Sequence, residues 1–203
     1  MTRQTCQLGD VVLKSTEALT LWQTERGIIE VSRNTLAIPL ELDGQREGYI
    51  FHGRGKLLLD TIVETDEGAV GKSVEKELNR PFLMFGDTEE IQQHFVRSSE
   101  EDLTEMGYEN QQEFVGKTKG LWDQFLTRKV ESHRRSDRYR GSVFAFQSDD
   151  RRLDILVSKG SKLIYKTPDL VFVSKGSKAV LKSPGEVVVS KHGKSIIVKR
   201  GKS

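Results

Sequence analysis

Asp66-Glu67-Gly68-Ala69-Val70-Gly71-Lys72-Ser73 ends in the Gly-Lys-Ser triplet that closes many phosphate-binding loops. It follows an apolar run and precedes Val74–Leu78, which reads as a short helix, so the setting is that of strand, loop and helix. The charges are wrong for the chemistry. Asp66 stands where the pattern needs its first glycine, and Glu67 adds a second carboxylate. A loop that wraps phosphates with backbone N–H groups is ill served by two negative charges. No succession of further strands and helices follows. The expectation is a glycine-containing turn, not a nucleotide site. His52-Gly53-Arg54-Gly55-Lys56 has anion-binding residue types, but its spacing reads as a hairpin connection.

His52, His94, His133 and His192 are scattered, and none lies at ligand spacing from another His or from Cys6. No Ser-His-Asp or Cys-His pattern and no pair of carboxylates announces acid–base chemistry. The sequence therefore proposes no catalytic residue, no metal site and no cofactor.

Lysine is the residue whose spacing is regular. Leu153–Pro168, Asp169–Pro184 and Gly185–Arg200 align without gaps at a period of 16, as LDILVSKGSKLIYKTP, DLVFVSKGSKAVLKSP and GEVVVSKHGKSIIVKR. Val157, Val173 and Val189 coincide, as do Ser158, Ser174 and Ser190. Such fidelity marks a repeated supersecondary unit. Each unit holds two aliphatic runs separated by a Ser-Lys-Gly-type turn, which predicts two strands per unit. A parallel solenoid would stack equivalent lysines about 4.8 Å apart, where like charges repel. An antiparallel meander is therefore preferred, with the solenoid as the alternative. Aliphatics on both strand faces, as in Ile155-Leu156-Val157, predict burial on two sides.

The candidate polyanion- or partner-binding residues are Lys159, Lys162, Lys166, Lys175, Lys178, Lys182, Lys191 and Lys194, with Arg134 and Arg135 in a basic linker. Regular lysines suit non-specific phosphate contact, or protection of strands against edge-to-edge pairing. Only Tyr165 and Phe172 are aromatic in the repeats, which argues against base readout by stacking.

The elements that must position these residues divide into three stretches. Residues 1–86 read as an acidic, β-rich region with strands at Val11–Leu13, Ala18–Gln23, Ile28–Val31, Leu36–Leu42, Tyr49–Phe51, Lys56–Glu64 and Pro81–Phe85. Pro39 predicts an edge strand or a bend, and Asp43-Gly44 a turn. Residues 87–140 read as a helical segment and basic linker. Asp87-Thr88-Glu89-Glu90 opens a helix with Ile91 and Phe95 on one face. Glu100-Glu101-Asp102 opens another, ended by Gly107. The longest helix is expected over 111–131, with Phe114, Leu121, Trp122, Phe125 and Leu126 in its apolar stripe and Gly116 and Gly120 weakening it by about 1 kcal/mol each. Residues 141–203 hold a strand at Ser142–Gln147, a turn at Asp149-Asp150, and the repeats. The fold class is thus α+β and β-rich.

The net charge of +2 conceals an asymmetry. Residues 1–127 carry 13 Lys and Arg against 23 Asp and Glu, and the remainder 19 against 7. A lone Cys6 excludes an intramolecular disulfide and suits a reducing compartment. No apolar leader and no apolar stretch of bilayer length appears. The expectation is a cytoplasmic protein without a transmembrane segment, acting as a non-catalytic, self-associating β-rich scaffold. The alternative is a non-specific binder of nucleic acid or an anionic membrane surface through its basic repeats.

Overall fold

The structure, a computed structural model, describes residues 7–8, 11–42, 45–65, 68–86, 93–122, 142–147, 152–191 and 194–199. Its strands are β1 (Gln7–Leu8), β2 (Leu13–Ser15), β3 (Leu19–Thr24), β4 (Gly27–Val31), β5 (Leu36–Leu42), β6 (Gln45–His52), β7 (Gly55–Thr65), β8 (Gly68–Leu78), β9 (Phe82–Phe85) and β10 (Phe95–Arg97). Then come helix α1 (Glu100–Glu105), helix α2 (111–122) and β11 (Ser142–Gln147). The chain ends in β12 (Leu153–Lys159), β13 (Lys162–Lys166), β14 (Val171–Lys175), β15 (Lys178–Ser183), β16 (Glu186–Lys191) and β17 (Lys194–Lys199). The protein is β-rich, and its strands form two antiparallel sheets.

The large sheet runs β10-β2-β5-β6-β9-β11-β12-β13-β14-β15-β16-β17, with β1 beside β5. β11 joins β9 on one side and β12 on the other, so all three stretches of chain contribute to one sheet. The small sheet, β3-β4-β7-β8, covers one face of it. Between the two sheets lies the main core. Trp22, Ile29, Leu57 and Leu59 meet Phe51, Phe82, Phe144, Phe146, Tyr165 and Phe172 there. Trp22 and Phe144 touch edge to face at 6.0 Å. Each such buried side chain contributes roughly 1.5–3 kcal/mol from area alone. The helices cover the opposite face of the large sheet. Phe114 and Leu103 pack on Val12, Leu36 and Ile38, and Trp122 packs on Leu40, Ile50, Leu83 and Ala145.

Several local expectations change once the sheets are in place. The segment His52-Gly53-Arg54-Gly55 is not a hairpin turn, because β6 and β7 belong to different sheets and the chain crosses between layers here. Val74–Leu78 is strand, not helix: β8 alternates half-buried Lys72, Val74 and Lys76 with exposed Ser73, Glu75 and Glu77. Phe95 lies in a strand and is buried against Phe51 at 6.0 Å, instead of sharing a helix face with Ile91. Pro39 is internal, not on an edge. It pairs with Tyr49 of β6 and falls between the segment of β5 joined to β2 and that joined to β1, where a missing donor costs least.

Helix α1 starts with a reciprocal capping box between Ser99 and Asp102, and Gly107, at φ 90°, follows its end. Residues 111–122 of the longer expected helix are helical; Phe114 and Trp122 are buried, but Leu121 is 55% exposed and not part of the stripe. Phe125, Leu126, Asp43-Gly44, Asp87–Ile91 and Asp149-Asp150 lie outside the described residues. Gly48 on β6 has no room for a side chain, since a Cβ there would sit 1.9 Å from the Met84 carbonyl oxygen.

The strands β12 to β17 are neighbours in chain order and all antiparallel. Gly160 (φ 55°) and Gly176 (φ 57°) take the first position of the two-residue turns after β12 and β14, as tight hairpins require. Thr167 organises the longer connection after β13, its hydroxyl accepting from the N–H groups of Asp169 and Leu170.

Candidate functional site

Strand alternation gives β12–β16 two different faces. One face, with Leu156, Leu163, Tyr165, Phe172, Ala179, Leu181 and Val188, is buried in the core. The other carries Ile155, Val157, Ile164, Val171, Val173, Val180, Val187 and Val189, all half-buried. The expected two-sided burial holds at Ile155, which packs against the Trp122 cluster; the rest of the second aliphatic set, Val173 included, is only half-buried.

The lysines lie on this open face. Antiparallel register sets Lys159 opposite Lys162, Lys162 opposite Lys175, Lys175 opposite Lys178, and Lys178 opposite Lys191. Lys194 continues the line in register with Lys191. Six lysine positions thus cross six strands in one row, about 24 Å long at the usual interstrand spacing. The described lysine side chains of the row are exposed. The repulsion argument that favoured antiparallel hairpins does not hold, since hairpins bring the lysines together as closely as stacking would. Exposed ammonium groups on long stems splay into water and are screened by salt, so the row is tolerated.

Beside the lysine row runs Val157–Ile164–Val173–Val180–Val189, each opposite the next. A third row alternates Ile155, Lys166, Val171, Lys182 and Val187. Arg134 and Arg135 lie outside the described residues.

The acids of these strands face the other way. Asp154 of β12 pairs with Lys76 of β8, and Glu186 of β16 lies 3.3 Å from Lys72. Both partners come from the small sheet. The open face of β12–β16 consequently carries aliphatic and lysine side chains and no carboxylate. Sequence reasoning missed Lys72 and Lys76 as those partners; the period-2 alternation of 72–78 was the signal. Their neighbour Tyr165 donates to Asp154 at 3.4 Å, and burial first, then that carboxylate, pushes its pKa up.

The Gly71-Lys72-Ser73 segment lies within β8, with Lys72 opposite Thr61 and Ser73 opposite Asp60 of β7. Its backbone is committed to a sheet ladder and does not form a phosphate-wrapping loop. Elsewhere, a cavity of about 430 Å³ opens between the β3–β4 turn and the hairpin turns, lined by Arg26, Lys162, Ser158 and Ser174 among others. Arg26 spans its mouth to the Ser177 carbonyl at 3.2 Å. Among the described residues no cluster of His, Cys, Asp and Glu could hold a metal ion, and no helix is long and apolar enough to cross a membrane.

Fold and face together define a β-rich protein with antiparallel sheets and a cationic, aliphatic sheet surface. Compared with models of protein families, with curated proteins and with solved structures, the chain matches none.

Proposed function

We propose that this is an intracellular, non-catalytic binding module that presents the open face of its C-terminal strands to a polyanionic surface. The three 16-residue units, read as the hairpins β12–β13, β14–β15 and β16–β17, act as a lysine-bearing repeat. The observation that carries the reading is the row Lys159–Lys162–Lys175–Lys178–Lys191, continued in register by position 194, on a face to which the described residues of β12–β16 contribute no carboxylate. Ion pairing of Asp154 and Glu186 with the small sheet leaves the positive potential of that face unopposed by the strands' own acids. The test is titration of the intact protein with inorganic polyphosphate at several salt concentrations. Log affinity falls linearly with log salt, and Lys162→Glu with Lys178→Glu weakens binding at least tenfold. Absence of polyphosphate binding at low salt overturns the reading.

Self-association as a scaffold is the second reading, supported by the half-buried aliphatic row Val157–Ile164–Val173–Val180–Val189. Light scattering distinguishes it: a concentration-dependent oligomer that dissociates on Val173→Lys favours assembly.

A further inference from the structure

We infer that the surface this face takes is an anionic phospholipid bilayer, onto which strands β13–β16 settle beside the helix-covered part of the same face; the inference rests on the polyanion reading above. Charge and apolarity are laid out in adjacent bands. The lysine row runs along one side, the all-aliphatic row beside it, and the mixed row of Lys166, Val171, Lys182 and Val187 beyond; Ile155, at the end of that row, packs against the Trp122 cluster. A lipid headgroup layer meets both demands at once. Lysine stems lie along the apolar surface while their ammonium groups reach lipid phosphates and carboxylates. The β-branched side chains between them contact the boundary with the acyl region.

Nucleic acid offers the same negative charge but wants different neighbours. Single strands stack their bases on aromatic side chains. The two aromatics of the repeats, Tyr165 and Phe172, are 2% and 0% exposed on the opposite face. A duplex would engage the lysines alone and leave the aliphatic row against phosphates or water. A second copy seated face to face would set lysines near lysines, and the described strands β12–β16 place no carboxylate between them.

The experiment uses the full chain and three parallel readouts. Co-sedimentation is measured with vesicles of phosphatidylcholine alone or mixed with phosphatidylserine. Fluorescence anisotropy follows single-stranded and duplex oligonucleotides, and polyphosphate titration reports the underlying anion binding. The expected result is about 25-fold or stronger partitioning onto the phosphatidylserine vesicles, reduced about 25-fold by Lys162→Gln with Lys178→Gln, at about fivefold per lysine. Val173→Thr with Val180→Thr keeps shape and β-branching. It lowers vesicle binding about threefold to tenfold while leaving polyphosphate binding unchanged and the protein folded at the assay temperature. Polyphosphate binding without vesicle binding, or oligonucleotide binding that exceeds vesicle binding and ignores the valine substitutions, overturns the lipid assignment and leaves the polyanion reading standing. Loss of all three kinds of binding overturns both.

Discussion

Lys76 on β8 and Asp154 on β12 form an ion pair that ties the small sheet to the large one. Asp154 is 6% exposed, and the Lys76 ammonium also sits 5.3 Å above the Phe146 ring. Removing one partner of such a pair leaves a buried charge behind, at a cost of about 3–5 kcal/mol. Lys76→Met is therefore expected to lower unfolding free energy by that order in urea. Lys76→Met combined with Asp154→Leu should recover most of it. If Lys76→Met melts like the wild type, the pair does not hold the sheets together.

Phe172 and Val173 are adjacent but face opposite ways. Phe172 is fully buried in the core, whereas Val173 lies on the open face. Phe172→Ala should cost about 3–5 kcal/mol, and Val173→Thr less than about 1 kcal/mol. Equal losses for the two, measured by chemical denaturation, would contradict the assignment of faces.

The ring of His52 sits 5.6 Å from Phe114 and 6.2 Å from Tyr108, and its Nδ1 is buried without a hydrogen-bond partner. Burial holds its pKa below the ordinary 6.5. On acidification the unfolded chain takes up this proton before the folded chain does. Stability is therefore complete above 6.5 and falls as pH drops through the lowered folded value. In His52→Phe that part of the pH dependence should vanish. A proton NMR titration placing the His52 midpoint above 6.5 would contradict the burial argument.

Lys72 stands in a paired strand and reaches Glu186. Isothermal titration with Mg-ATP or Mg-GTP is expected to give no heat of binding at this segment. Micromolar affinity lost in Lys72→Ala would reverse that view. The same substitution should cost no more than about 1 kcal/mol of stability, because both partners are partly solvated.

Local chemistry was legible in the residues themselves. The turn glycines, the acidic helix start at Glu100-Glu101-Asp102 and the strand runs of the repeats are written in short windows, because each depends on neighbours a few residues away. So was the list of lysines, since charged side chains stay where water reaches them. Even there, period decided correctly only where it was read: the alternation along 72–78 is strand-like, yet the Gly-Lys-Ser resemblance drew it toward a helix.

What the windows did not contain is which layer each strand joins. His52-Gly53-Arg54-Gly55 has hairpin composition, but the strands on either side pair with different partners, and partner choice is a long-range contest over buried area. Which aliphatic set is covered followed the same rule. Val157, Val173 and Val189 equal their buried neighbours in apolarity, and only the docking of β7 and β8 on one face of the sheet distinguishes them. That docking also turned Asp154 and Glu186 inward to Lys76 and Lys72, away from the lysine row. Side-chain type is a property of the chain, but the potential of a surface depends on which charges face each other across the fold, and that is settled by packing.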